Sequence, residues 1–165
     1  MEQLIHQMSL FDEEKPYRYI IDTCSILAQK DGDTHPRSIY QTLWKDIDDL
    51  IENKIIVLSR EILEEVDDKD IKNSLLKMEP TIIDIDEEIQ SNVKQVLRTS
   101  PDLIDFAKVK SSGDAFLIAT AMAYGLTVIT EEKTDSPKKI PKVCEKLGIK
   151  CVNIFGLCRL QNWTY

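Results

Sequence analysis

Acidic side chains stand at several widely separated points of the 165-residue chain, each beside a short apolar segment. Asp22 follows one such segment, Asp114 opens another, and Glu131 and Glu132 follow a third. A further group of acids comes after Ser59, namely Glu61, Glu64 and Glu65. Carboxylates that are brought together repel one another unless a cation neutralises them. Because hard oxygen ligands suit Mg²⁺ or Mn²⁺, these residue types point to metal-dependent chemistry.

Each acid also has a plainer interpretation when it is taken alone. Asp22 is typical of a turn or a helix cap, and Asp114 of a negative charge that the dipole favours at a helix N-terminus. The glutamates are typical of a solvated surface. A shared site is favoured because the acids fall at corresponding ends of their elements.

Other chemistries lack the residues that they need. The chain has two histidines, His6 and His35, which argues against a multi-histidine metal site and a Ser-His-Asp triad. Its four cysteines (Cys24, Cys144, Cys151, Cys158) form no C-x-x-C pair, so the usual zinc spacings are absent. We expect these cysteines to be reduced and mostly in the core.

Apolar patterning predicts short buried strands separated by helices. We expect strands at residues 17–21, 55–58, 127–129 and 150–152. We expect helices at 36–52 (with Ile39 on its apolar face), after Ser59, and at 71–78, 86–98, 113–124 and 141–147. The helix at 113–124 is apolar nearly all round, which predicts a central, buried position.

This alternation predicts an α/β fold, a three-layer α/β/α domain with a central, mostly parallel sheet. We expect residues 16–165 to form that single domain after an N-terminal extension at 1–15. In open sheets of this kind, ligands bind outside the carboxyl ends of the strands, which is where the acids are expected to gather. Neither a secretory segment nor an apolar run of about 20 residues occurs, so we expect a cytoplasmic protein with no membrane contact.

Four segments resemble the motifs of PIN-domain nucleases, and the resemblance runs from about Tyr17 to Leu160. Residues 21–27 (IDTCSIL) look like the opening motif, a hydrophobic strand followed by Asp-Thr. Residues 59–66 (SREILEEV) are similar to the second motif, 113–121 (GDAFLIATA) to the Asp-Ala helix, and 125–132 (GLTVITEE) to the closing motif. The order and spacing of the four motifs carry the resemblance. The tail at 140–149 resembles that of an uncharacterised PIN-like branch.

The resemblance implies a metal-dependent ribonuclease (an endonuclease) that hydrolyses RNA phosphodiester bonds. Asp22 and Asp114 are then expected to anchor one Mg²⁺ or Mn²⁺ ion, with Glu65 and Glu132 completing the site or a weaker second one. Three hydroxyl residues at strand ends are expected to support the metal water or a phosphate oxygen: Thr23, Ser25 and Thr130. Many family members are VapC-type toxins held by an antitoxin, so the resemblance leaves room for that partner, and a homodimer also stays open.

Two positions leave alternatives. Glu132 stands where the family commonly has Asp, and Glu131 is the alternative acid there. In the second motif Glu65 precedes an aliphatic residue, as the motif requires, whereas Glu64 matches the spacing from Ser59.

Charge is distributed unevenly along the chain. The net charge is −8, yet residues 133–165 contain seven basic and two acidic side chains. We expect this segment, through Lys138, Lys139 and Lys142, to guide an RNA backbone, although a solvated lysine-rich helix face explains it equally well.

Two other classes compete with the ribonuclease. One is a non-catalytic PIN-like module that only binds proteins. The other is a phosphoacceptor receiver or an aspartate-based phosphatase. The phosphatase requires Asp-x-Asp after the first strand, whereas the chain has Asp22-Thr23-Cys24.

Overall fold

Five short strands form one parallel sheet in the order β3-β2-β1-β4-β5. The strands are β1 (Tyr19–Ile21), β2 (Ile56–Ser59), β3 (Ile82–Ile83), β4 (Thr127–Ile129) and β5 (Cys151–Val152). The structure, a computed structural model, describes residues 15–101, 112–136 and 139–165. Nearly all of the expected N-terminal extension, together with Lys138, lies outside these residues. The expected α/β class with a parallel sheet is confirmed.

Helices flank this sheet. In the described residues they are α1 (Thr23–Leu27), α2 (Gln41–Glu52), α3 (Arg60–Glu65), α4 (Lys69–Lys77), α5 (Glu87–Thr99), α6 (Ser112–Tyr124), α7 (Ile140–Leu147) and α8 (Ile154–Gln161). None of the described helices is long and apolar enough to cross a membrane.

The order of the strands places β1 beside β4 at the centre of the sheet. Ile21 at the end of β1 pairs with Ile129 at the end of β4. The chain leaves β1 toward β2 and β3, on one side of the sheet, and returns to β4 and β5 on the other. The carboxyl ends of β1 and β4 are therefore the topological switch point, where a crevice for a ligand is expected in sheets of this kind.

The predicted central helix is α6. It packs against β1, β2 and β4 as well as against α3 and α5. Three of its residues, Leu117, Ile118 and Ala119, are completely buried in the core. Since apolar side chains cover nearly its whole circumference, α6 fills the core and brings its first turn, with Asp114, to the edge of the sheet.

The helix expected at 36–52 begins later than its apolar pattern predicts. Residues 28–40 fold back on themselves, because the backbone amides of His35 and Arg37 donate to the carbonyls of Ala28 and Gln29. The helix starts only at Gln41, and Ile39, expected on its apolar face, is 73% exposed. That part of the sequence prediction was wrong.

Two substitutions separate core from surface at positions that the sequence pattern had treated alike. Leu117→Ala removes a fully buried side chain from α6 and is expected to lower the free energy of unfolding by about 2–5 kcal/mol. Ile39→Ala is expected to change it by less than about 0.5 kcal/mol. Urea unfolding measures both, and equal losses would contradict the packing described above.

Candidate active site

Asp22 is held rigidly at the end of β1. It is buried, with a relative exposure of 3%, and its side chain caps α1. Oδ1 accepts from the backbone amide of Ser25 at 2.9 Å, and Oδ2 accepts from the hydroxyl of Thr130 at 2.6 Å. The thiol of Cys24 donates to both oxygens, at 3.0 and 3.2 Å. The helix-cap interpretation therefore applies to this carboxylate, and the same side chain contacts Thr130 just after β4.

The two glutamates after β4 point to different places. Glu131 Oε1 accepts from the backbone amide of Ile154 at 2.6 Å, so this residue fixes the start of α8. Glu132 Oε2 accepts from the amide of Ile140 at 2.9 Å, at the start of α7. Coulombic repulsion from Glu132 also raises the pKa of Asp114, and repulsion from Asp22 raises the pKa of Glu132. The structure thus groups Glu132, and not Glu131, with the other acids.

On α3, Glu65 lies in the site and Glu64 is exposed. Glu65 Oε2 accepts a hydrogen bond from the hydroxyl of Thr23 at 2.9 Å. Its carboxylate also lies directly against Gly113, where a Cβ atom would clash with Oε1. A glycine before Asp114 is therefore what allows α3 and α6 to bring their two acids close together.

Asp114 is the most strongly perturbed acid of the group. It is partly buried in the first turn of α6, and burial is the main cause that raises its pKa from 3.8 to about 7. Coulombic repulsion from Glu132, Asp22 and Glu65 raises its pKa further. Burial likewise raises the pKa of Glu132, against the opposing effect of its hydrogen bond from Ile140.

These four carboxylates, Asp22, Glu65, Asp114 and Glu132, are referred to below as the acid cluster. They fit a hard divalent cation chemically, because all four ligands are carboxylates and a cation offsets the repulsion between them. Within the described ranges, no three Asp, Glu, His or Cys side chains already form a ligand group. A cation therefore requires the side chains of the cluster to draw together.

The expected supporting hydroxyls orient acids or backbone. Thr130 donates to Asp22 and accepts from the amide of Glu132 at 3.1 Å, so it links two members of the acid cluster. Thr23 orients Glu65. The hydroxyl of Ser25 is completely buried and donates to the carbonyl of Ile129 at 3.3 Å, which ties α1 to β4.

Two basic side chains lie at the start of α7, Lys139 just before the helix and Lys142 in its first turn. Lys139 forms an ion pair with Asp135 at 3.8 Å, and its charge opposes the rise in the pKa of Glu132 that burial causes. Lys142 pairs with Glu145 at 3.1 Å. Both pairs are well exposed, and pairs of this kind contribute little to stability.

Two residues of the site were not identified from the sequence. Cys24 was treated as an ordinary core cysteine, yet its thiol donates to Asp22; burial and the adjacent carboxylate raise its pKa. Gly113 was quoted only as part of a motif. A glycine directly before a candidate acid is a usable signal, since it marks a place of close approach.

The raised pKa of Asp114 predicts a specific pH dependence of stability. Below about pH 4 Asp114 holds its proton in both the folded and the unfolded chain, so its raised pKa does not lower the free energy of unfolding. Between pH 4 and 7 only the folded chain holds this proton, so the free energy of unfolding falls as the pH rises. Above pH 7 the folded chain has also lost the proton, and the full destabilisation by Asp114 is present. Asp114→Asn should therefore raise the free energy of unfolding in EDTA at pH 8 by about 1–3 kcal/mol, and leave it unchanged near pH 4.

Urea unfolding at the two pH values checks this expectation. A loss of a few tenths of a kcal/mol at pH 8 would mean that Asp114 merely supports the N-terminus of α6.

Comparison with solved structures places this fold among known ones. PAE2754 from Pyrobaculum aerophilum superimposes with a TM-score of 0.54 at 13% identity, covering 92% of this chain and 94% of that chain. FitAcB from Neisseria gonorrhoeae matches with a TM-score of 0.51 at 18% identity, covering 83% and 98%. VapBC2 from Rickettsia felis, solved with a DNA fragment from its promoter, matches with a TM-score of 0.50 at 19% identity, covering 82% and 97%.

At these identities the comparison establishes a shared PIN-like fold, as the sequence motifs predicted. A search of the curated proteins returns no match. The profile of one protein family, described as a domain of unknown function, matches residues 19–165, nearly the whole chain. The chain therefore belongs to the DUF4411 family and has the fold of the PIN-domain proteins.

Proposed function

We propose that this protein is a divalent-metal-dependent ribonuclease that hydrolyses phosphodiester bonds in RNA. The observation that carries the proposal is Asp114, a partly buried carboxylate whose pKa is raised to about 7 by burial and, further, by three neighbouring carboxylates. This concentration of negative charge lies at the switch point of a PIN-like sheet, where ligands are expected. Strongly perturbed groups of this kind are characteristic of functional sites.

Asp22 and Asp114 hold Mg²⁺ or Mn²⁺ in this proposal, and Glu65 and Glu132 complete the site. When bound, the cation polarises a phosphate oxygen and lowers the pKa of a water molecule. Asp22 is already fixed by Ser25 and Thr130, so it pays little entropy on binding. Asp114 holds a proton near neutral pH in the free protein and releases it when the cation binds.

Lys139 and Lys142 hold the RNA backbone beside the acid cluster. Lys139 is close enough to Glu132 to act on its charge, and Lys142 follows Lys139 in the first turn of α7, so a phosphate bound by Lys139 is adjacent to the carboxylates. Their ion pairs with Asp135 and Glu145 are exposed and exchange readily for a phosphate. Lys138 belongs to the same proposal and lies outside the described residues.

The toxin role is the finer part of the proposal. Because the chain resembles VapC-type toxins, the proposal includes an antitoxin that a neighbouring reading frame encodes and that inhibits the ribonuclease. Co-expression of the two reading frames with a tag on one is expected to recover both proteins in a single complex. Recovery of the tagged chain alone would contradict the antitoxin proposal, whereas the ribonuclease proposal does not depend on this result.

A matched pair of variants on α3 tests the metal-dependent chemistry. Glu65→Gln removes a charge from the acid cluster and is expected to reduce RNA cleavage with Mn²⁺ by about 100-fold or more. Glu64→Gln makes the same change at an exposed neighbour and should stay within about twofold of the wild type. Cleavage of unstructured RNA is measured with Mn²⁺, with Mg²⁺ and with EDTA.

Cleavage that persists in EDTA would contradict the metal mechanism. Absence of cleavage under every condition, together with unchanged melting in Mn²⁺, would instead favour the non-catalytic binding module.

A second pair of variants tests the basic surface. Lys139→Gln with Lys142→Gln is expected to weaken binding of single-stranded RNA and to reduce the salt slope of log K by about 1.4, since two phosphate contacts are lost. The control is Lys54→Gln with Lys77→Gln. These lysines precede β2 and β3, so they lie near the opposite edge of the sheet. Fluorescence anisotropy over a salt series measures both, and equal slopes would show that the α7 lysines are only a solvated face.

A further inference from the structure

Three aromatic rings meet at the place where α2 and α8 begin. The ring of His35 lies edge-on to that of Phe155, with 4.8 Å between the ring centroids, and 5.4 Å from that of Tyr40. Phe155 is 50% exposed and Tyr40 is 37% exposed, whereas His35, which contacts both, is buried. These three residues are called the aromatic surface below.

The segment before α2 builds one side of the aromatic surface. The amide of Tyr40 donates to the carbonyl of Pro36 at 2.9 Å, and the indole of Trp44 donates to the carbonyl of His35 at 2.7 Å. Nδ1 of His35 lies 2.9 Å from the hydroxyl oxygen of Thr34, but its Nε2 is buried with no hydrogen-bond partner among the described residues. A buried polar atom without a partner costs stability, so stability alone does not explain the place of this ring.

The aromatic surface lies at the same edge of the sheet as the acid cluster. The carboxyl ends of three strands are level, because Ile129 of β4 pairs with Ile21 of β1 and with Val152 of β5. Asp22 directly follows β1, and Phe155 comes three residues after Val152, in the first turn of α8. β5 is two strands away from β1, which is about 10 Å in the plane of the sheet. A nucleotide chain that crosses the acid cluster therefore extends to the aromatic surface.

A cation without an ion-pair partner accompanies the exposed ring of Phe155. Arg159 comes four residues later on α8, so the two side chains share one face of the helix, and Arg159 is exposed. The ion pairs among the described residues include Arg37 and Arg60 but not Arg159. Its guanidinium is therefore free to bind an external anion such as a phosphate.

We propose that the aromatic surface binds a base of single-stranded RNA by stacking, and that Arg159 binds a neighbouring phosphate. The inference rests on the proposed function, because it takes RNA as the substrate, and it adds a binding subsite outside the acid cluster. Proteins commonly hold unpaired bases on aromatic side chains, and the positive charge beside the ring follows the backbone. An aromatic ring stacks on any base, so this subsite holds RNA without selecting a sequence.

Binding of a fluorescent single-stranded oligoribonucleotide in EDTA tests the stacking. Phe155→Ala and Phe155→Leu are each expected to weaken binding by about tenfold, because both remove the ring, whereas Phe155→Tyr restores the ring and the binding. Leucine keeps an apolar contact with His35, so a purely structural role of Phe155 would leave the affinity of Phe155→Leu unchanged. The control is Tyr165→Ala, which removes a 66% exposed aromatic residue beyond the far end of α8 and should bind like the wild type.

A salt series separates the phosphate contact from the stacking. Arg159→Gln is expected to reduce the slope of log K against log salt by about 0.7, since one contact with a single strand is lost, and Phe155→Leu should leave that slope unchanged. In cleavage assays with Mn²⁺, Phe155→Leu should raise KM about tenfold and change kcat by less than about twofold, because stacking contributes equally to the bound substrate and the transition state.

The outcomes distinguish this subsite from the ribonuclease itself. Wild-type affinity in Phe155→Ala and Phe155→Leu would overturn the subsite, and cleavage by these variants would leave the ribonuclease proposal intact. Binding that depends on Phe155 in a protein that cleaves no RNA would support the subsite and contradict the ribonuclease. Absence of RNA binding by the wild type would overturn both. A wild-type dimer that Phe155→Leu dissociates, measured by light scattering, would show that a second copy covers the surface and would also overturn the proposal.

Discussion

The structure depends on one electrostatic constraint, which is the crowding of carboxylates at the carboxyl edge of the sheet. Three of these acids accept hydrogen bonds from the protein. Asp22 accepts from Ser25 and Thr130, Glu65 accepts from Thr23, and Glu132 accepts from Ile140. Asp114 differs, because burial and its three acidic neighbours all raise its pKa. The crowding of the cluster is therefore relieved by a proton on Asp114, the one acid carried by the central helix, up to about pH 7.

The fold creates this crowding through connections that also serve the scaffold. Asp22 caps α1 while it faces β4, and Glu131 anchors α8 while the adjacent Glu132 turns toward the cluster. Gly113 gives Glu65 the space that any side chain would occupy. The acids are thus positioned by strand ends, by the start of a helix and by the absence of a Cβ atom at Gly113.

Long and strongly patterned features were predictable from the sequence. The strands β1, β2, β4 and β5 and the apolar helix α6 were expected at nearly their observed positions, and so was the edge of the sheet where Asp22 and Asp114 lie. The elements α1, β3 and α8 were not identified. α1 and β3 contain five and two residues, too few for a periodic pattern, and α8 depends on a cap from Asn153 and on Glu131. The choice between Glu64 and Glu65 depends on the rotation of a short helix against α6, which no local pattern records.

The most direct test of the central claim is the titration of the Asp114 carboxyl carbon by NMR, with and without Mg²⁺. If the acid cluster is a cation site, Asp114 should titrate near pH 7 in the free protein, and saturating Mg²⁺ should lower that pKa by two units or more. A pKa near 4 that Mg²⁺ does not change would contradict the account, because Asp114 would then be an ordinary carboxylate at a helix N-terminus.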